Sequence, residues 1–195
     1  MKNIIGLTGP TGSGKSSFSL MAKEKGMTVI DCDKISREVT KKNGECLEKL
    51  KIAFGNDIVN NGELDRKLLA SRAFSDSKNK SKLEEIIFPF IIDRVLYYID
   101  CAVSKDIILD APTLFESGID ELCSSVVAVI APFDMRKERI INRDNLSEEQ
   151  AVVRMNAGKP DSFYYERTDY VINNNGAQQE FLNQCEEILK KLTEE

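Results

Sequence analysis

Gly9-Pro10-Thr11-Gly12-Ser13-Gly14-Lys15-Ser16 decides the reading of this chain. The stretch is a full match to the phosphate-binding pattern G-x-x-x-x-G-K-[ST]. Before it, Ile4-Ile5-Gly6-Leu7-Thr8 is a short apolar run suited to a buried strand, and after it Ser17 to Lys25 can continue as a helix. Glycines let the backbone turn tightly and aim successive N–H groups at phosphate oxygens. The new helix brings the positive end of its dipole to the same place. In this pattern the lysine, Lys15, reaches the β- and γ-phosphates, and the Ser16 hydroxyl can ligate Mg²⁺. A mere glycine-rich turn would need neither group. The chain is expected to bind ATP or a similar nucleotide through Gly12, Ser13, Gly14, Lys15, Ser16 and Ser17.

Outward from the loop, strand-like and helix-like stretches alternate, which predicts an α/β fold with a parallel sheet flanked by helices. Further strands are expected at Met27–Asp31, Asp106–Asp110, Ser125–Ala131 and Asp169–Asn173. Helices are expected at about 34–42, 45–53, 133–143, 147–156 and 178–192, with another opening at Leu64-Asp65-Arg66. Ser147-Glu148-Glu149-Gln150 reads as a capping box, and Asn60-Asn61-Gly62 as a turn. Residues 75–82 read as a loop or a solvated helix start. Leu83–Val103 is apolar at helical spacing, and Pro89 is expected to kink it or begin a new helix. The stretch from Gly55 to Val103 is the expected lobe outside the sheet core.

The chain's 195 residues suit one domain with a small extra lobe. With 27 basic against 32 acidic residues, no overall attraction to nucleic acid is expected. The five scattered cysteines form no C-x-x-C pair, so neither a zinc site nor a disulfide framework is indicated. The first apolar run is broken by Gly6, Thr8 and Gly9, and no segment has the length to span a bilayer, so a cytoplasmic protein without a membrane partner is expected. The chain has no histidine. Ser-His-Asp hydrolysis and histidine-based metal hydrolysis are therefore excluded, and proton transfer falls to carboxylate, lysine, tyrosine, cysteine or water.

In open parallel sheets, ligands gather at the C-terminal ends of strands. Asp31 and Asp33 end the second strand, and both can face one side if the chain stays extended. One could help bind Mg²⁺ through water while the other accepts a proton from an attacking hydroxyl; alternatively Asp33 caps the next helix. Asp110 ends an apolar strand as a carboxylate near Mg²⁺ does. Arg136, Arg139, Arg143 and Arg154, with Lys159 beyond, read either as a solvated helix face or as a source of charge for phosphoryl transfer. There is no Asn-Lys-x-Asp guanine reader. A small-molecule kinase is the economical reading, with a nucleoside or nucleotide kinase, or a nucleotide-binding regulatory protein, as alternatives.

Read together, these stretches resemble the dephospho-CoA kinase family from Ile5 to Gly176. The resemblance rests on Gly6-Leu7-Thr8-Gly9 and the phosphate loop, Asp31-Cys32-Asp33 with Arg37-Glu38-Val39, Gly62-Glu63-Leu64-Asp65-Arg66, and Asp110-Ala111-Pro112-Thr113-Leu114-Phe115-Glu116-Ser117-Gly118. Arg143-Asp144, Ser147 to Ala151 with Arg154, and Asp169 to Ile172 with Asn174 and Gly176 complete it. It implies ATP-dependent phosphorylation of the ribose 3′-hydroxyl of dephospho-CoA, with Mg²⁺. Asp33 would be the base, and Leu64, Arg66 and Phe88 would bind the acceptor. Arg139 and Arg143 would stand on the lid side and Asn174 in the adenine pocket. The implied layout is a P-loop core at about 1–54 and 104–195, a helical CoA lobe at about 55–103, and a lid at about 143–167. Three positions depart from the family pattern: Phe88 where His is usual before Pro89, Pro10 for a glycine, and Gly158 for a lid glutamine.

Overall fold

The protein, seen here as a computed structural model, is described over residues 2–193. Along the chain run β1 (Asn3–Thr8), α1 (Lys15–Glu24), β2 (Thr28–Asp31), α2 (Cys32–Val39), α3 (Glu45–Phe54), β3 (Val59–Asn60), β4 (Glu63–Leu64), α4 (Arg66–Ala73) and α5 (Ser77–Cys101). They are followed by β5 (Asp106–Asp110), β6 (Ser125–Ile130), α6 (Phe133–Asp144), α7 (Glu148–Asn156), α8 (Asp161–Tyr165), β7 (Tyr170–Asn173) and α9 (Gln178–Thr193). Two compact units result. One is built from the chain up to Ile30 and from Ala102 onward, the other from Asp31–Cys101.

In the first unit a five-stranded sheet runs in the order β2-β5-β1-β6-β7. β1 pairs in parallel with β5 and β6, and β6 with β7. The strand that carries the phosphate loop is thus the central one. Its neighbour β6 is apolar almost throughout and buried from Val126 to Ile130, as expected of a parallel strand covered on both faces. α9 buries Phe181, Cys185, Leu189 and Leu192, one stripe at helical spacing. That stripe shares a core with Ile5, Leu7, Phe18, Val127, Val129 and Ile172. Burying each large apolar side chain there is worth about 1.5–3 kcal/mol.

The second unit has its own core of Cys46, Leu50, Phe54, Ile58, Leu69 and Ala73, flanked by Leu64, Ile86, Ile87 and Phe90. This compact unit runs from Asp31, whereas the sequence places the start of the lobe near Gly55: α3 packs on α4 and α5, and Glu38 of α2 is tied to Arg94 and Tyr98 of α5. The Asn60-Asn61-Gly62 turn closes a β3–β4 hairpin. Asn61 and Gly62 both have positive φ, 53° and 83°, which matches the twist of two-residue hairpin turns.

The stretch at 75–82, expected as a loop or a solvated helix start, is the start of a helix from Ser77 onward. Two local expectations are corrected. Of the two outcomes expected of Pro89, a kink or a new helix, no new helix begins there: it lies inside a 25-residue helix. Pro89 and Glu85, whose carbonyl loses its partner, both lie on the exposed face, so water can take that bond while packing on the other face holds the helix. The chain also does not stay extended past Asp31: α2 starts at Cys32.

Candidate active site

The phosphate loop links β1 to α1. Gly9 and Gly14 take φ of 132° and 113°, a region L side chains rarely enter. A Cβ on Gly9 would lie 2.2 Å from the Val129 carbonyl, and one on Gly14 2.4 Å from Asn174 Nδ2. Strain and crowding both require glycine. α1 has no side-chain cap and no acidic residue in its first turn, so its first N–H groups and dipole suit an anion. Lys15 Nζ donates to the Gly9 carbonyl at 2.7 Å and the Pro10 carbonyl at 3.2 Å. Its ammonium therefore lies over the loop it belongs to.

Asp110 ends β5 in register with Leu7 on β1. Its Oδ2 accepts a hydrogen bond from Ser19 Oγ at 2.8 Å. Ser16 is one helical turn before Ser19, so both hydroxyls share one side of α1. Ser16 itself is exposed. Sequence reasoning missed Ser19, whose buried position halfway along α1 carries no motif signal.

Asp31 and Asp33 differ in their place on α2. Asp31 is the N-cap of α2: its carboxylate accepts from Lys34 N at 3.0 Å and pairs with Lys34 Nζ at 3.3 Å. Asp33 is exposed in the first turn of α2. The capping alternative therefore falls to Asp31 and not to Asp33.

Arg139 and Asn174 meet the back of the loop. Arg139 Nη1 donates to the Gly12 and Ser13 carbonyls at 3.2 and 3.3 Å, and Nη2 to Asn174 Oδ1 at 3.3 Å. Asn174 Nδ2 donates to the Ser13 carbonyl at 2.7 Å. Arg143 forms a two-point pair with Asp144, Nε and Nη2 each at 2.8 Å, and Arg154 reaches the same carboxylate at 2.5 Å. Hydrogen bonding from Arg143, then the two positive charges, hold the Asp144 carboxyl below its ordinary value against the opposing effect of burial. Arg136 is buried and pairs with Asp161 at 3.3 Å. α7 carries its capping box, with both the Ser147 and Gln150 bonds formed. It packs on α6 through Ile140, Ala151 and Met155.

In the second unit, Arg66 Nη2 donates to Thr40 Oγ1 at 2.8 Å and to the Arg37 carbonyl at 3.5 Å. Partial desolvation, and then the charge of Arg37, weaken its hold on the proton. Arg66 thus meets the Arg37 backbone across 29 residues, a contact that no local motif signals. Leu64 is half-buried against the lobe's core. Phe88 is half-buried on α5 and outside that core cluster. Glu38 pairs with Arg94 and accepts from Tyr98 Oη at 2.8 Å, which ties α2 to α5.

A family model described as dephospho-CoA kinase matches residues 3–180. The chain belongs to the dephospho-CoA kinase family. A dephospho-CoA kinase of Geobacillus kaustophilus is 36% identical over 98% of this chain and 97% of its own. One from Oryza sativa subsp. japonica is 35% identical over 98% of this chain and 85% of its own. Among solved structures, TT1252 from Thermus thermophilus has a TM-score of 0.85 at 29% identity, covering 98% of both chains. The dephospho-CoA kinase of Campylobacter jejuni has a TM-score of 0.71 at 27% identity, covering 100% of this chain and 98% of its own. The chain is thus a kinase, and the parallel-sheet fold and phosphate loop read from the sequence hold. Of the departures from the dephospho-CoA kinase pattern, Pro10 offers its carbonyl to Lys15, and Gly158 lies exposed after α7. No helix among the described residues is long and apolar enough to cross a membrane.

Proposed function

We propose that this chain transfers the γ-phosphoryl group of ATP to the ribose 3′-hydroxyl of dephospho-CoA, giving coenzyme A and ADP. The observation that carries this reading is the uncapped N-terminus of α1 behind the Gly9–Ser16 loop, in a chain of this family. The loop N–H groups and Lys15 hold the triphosphate. Asp33, two residues beyond the end of β2, accepts the proton as the 3′-oxygen bonds to phosphorus and the bond to the β-phosphate oxygen breaks. Arg66, near Leu64, holds the anionic part of the acceptor, and Phe88 borders the same lobe. Arg143 belongs to a lid within about 143–167, centred on α7, that excludes water, and Arg139 and Asn174 serve the nucleotide side.

Ser16 and Asp110 would hold Mg²⁺. A hydroxyl and one carboxylate oriented by Ser19 suit an ion that keeps several waters and shares phosphate oxygens. When bound, the ion neutralises charge on the β- and γ-phosphates. The test is incubation with Mg-ATP and a panel of acceptors, scored for ADP and 3′-phosphorylated product. ADP formed with nucleosides but not with dephospho-CoA would replace this reading with a nucleoside kinase. Tight ATP binding without turnover would replace it with a regulatory protein.

A further inference from the structure

A loop that turns its N–H groups toward a phosphate turns its carbonyls the other way, and those carbonyls need donors of their own. Most of them can be accounted for here. The Gly9 and Pro10 carbonyls take Lys15 Nζ, and Pro10 also takes Ser13 N at 3.3 Å. The Gly14 carbonyl takes Ser17 N at 3.0 Å, inside the first turn of α1. The Gly12 and Ser13 carbonyls lie between these. Their donors come from distant chain: Arg139 Nη1, which reaches both, and the Asn174 amide, which reaches Ser13.

We infer that Arg139 and Asn174 are positioning residues of the phosphate loop, which hold its Gly12 and Ser13 carbonyls from behind and so set affinity for polyphosphate without reading the purine. The inference rests on the proposal that the loop binds ATP and refines what these two residues do there. Asn174 is 6% exposed and Ser13 is fully buried. Both ends of the Asn174 amide are engaged, Nδ2 on Ser13 and Oδ1 on Arg139. Its backbone N is tied to the Ile130 carbonyl at 2.7 Å, so the sheet fixes where the amide stands. To read a base, the amide would have to release the loop. Arg139 likewise spends its fork on the loop's back and on Asn174; a planar fork can span three acceptors, which an ammonium cannot do in the same geometry.

The contact is close along its length. A Cβ on Gly12 would come within 2.9 Å of the Arg136 carbonyl and 3.1 Å of Ile140 Cγ1. A Cβ on Gly14 would strike Asn174 Nδ2. Two of the motif's glycines thus admit α6 and the chain after β7 to the back of the loop as well as phosphate to its front.

The test is displacement of a fluorescent ATP analogue by ATP, GTP and tripolyphosphate, which needs no acceptor. Asn174→Asp keeps the shape and the oxygen that accepts from Arg139, but replaces the donor facing Ser13 with a second oxygen. Arg139→Lys keeps the charge and loses the fork. Each is expected to weaken all three competitors by one common factor, about tenfold or more. Weakening confined to ATP would make Asn174 an adenine reader and overturn the inference; unchanged affinities for all three would overturn it too. If Asn174→Asp fails to fold by thermal melting, Arg139→Lys decides by the same criteria. A wild type that binds the analogue but does not phosphorylate dephospho-CoA would refute the proposed reaction and leave this inference standing. A wild type that does not bind the analogue would refute both.

Discussion

Asp31 and Asp33 stand two residues apart, yet substituting them should disturb different quantities. Asp31 caps α2 through Lys34 N at 3.0 Å, so Asp31→Ala should cost about 1 kcal/mol, the usual worth of such a cap. In a chain of this size that lowers Tm by about 2–4 °C. Asp31→Asn keeps a capping oxygen and loses only the ion pair with Lys34, whose side chain is 75% exposed. Such a pair contributes about 0–1 kcal/mol, so Asp31→Asn should stay close to wild type in both stability and turnover. Asp33 is exposed in the first turn of α2, where its charge adds about 0.3–1 kcal/mol, so Asp33→Asn should fold normally. If Asp33 takes the hydroxyl proton, the same change removes a general base and lowers kcat by about 10²-fold or more. A factor of 10² is about 2.7 kcal/mol of barrier, well beyond the stability effect. Steady-state ADP release with dephospho-CoA, ATP affinity and thermal melting on the three variants separate these effects. Normal turnover by Asp33→Asn with a dead Asp31→Asn would mean the pair is assigned the wrong way round. Normal turnover by both would remove carboxylate catalysis from this segment.

Lys15→Ala should lose activity by about 10²-fold or more while melting like the wild type, since the loop holds no second lysine to face the transferring charge; near wild-type kcat would overturn the phosphate-loop assignment. Hydrogen exchange should show α7 gaining protection when ATP and dephospho-CoA are both present. The stretch around Tyr164 should be protected throughout, because that ring is buried with Ala128 and Ile130 of β6; equal exchange in α7 with and without substrates would count against a lid. The Asp144 carboxyl is held below its ordinary value, chiefly by Arg143, so its contribution exists above the unfolded carboxylate pKa and is lost as pH falls through the folded one. The gap in Tm between wild type and Asp144→Asn should therefore be widest above about pH 5 and close as pH falls below about 4. A gap that widens on acidification would show that Asp144 gains nothing from its arginines.

Much of the fold was legible because local chemistry carries it. The apolar run of β6, the stripe of α9 and the capping box of α7 are written in adjacent residues, and the structure bears each one out. The less legible parts are those where distant packing competes with local preference. Pro89 signals a break, but a helix with one packed face tolerates it where the lost bond faces water. α8 is only five residues long and carries no periodic signal. The lobe's boundary depended on which surface covers α3, and spacing along one helix cannot say what lies opposite it.

For the site the division is sharper. The sequence alone determined the phosphate loop and the family, because an anion cradle built from consecutive backbone N–H groups needs its glycines, lysine and hydroxyl at set intervals along one strand-loop-helix segment. Only the tertiary structure decided which of two neighbouring aspartates caps a helix, that Asp110 is oriented by Ser19 91 residues away, and that Arg66 stands against Arg37. It also decided that Asn174 meets the Ser13 carbonyl across 161 residues. The physical reason is the direction of the bonds. The loop's N–H groups face a ligand and leave their mark in the local sequence, whereas its carbonyls face the interior, where any element the fold delivers there can supply the donor.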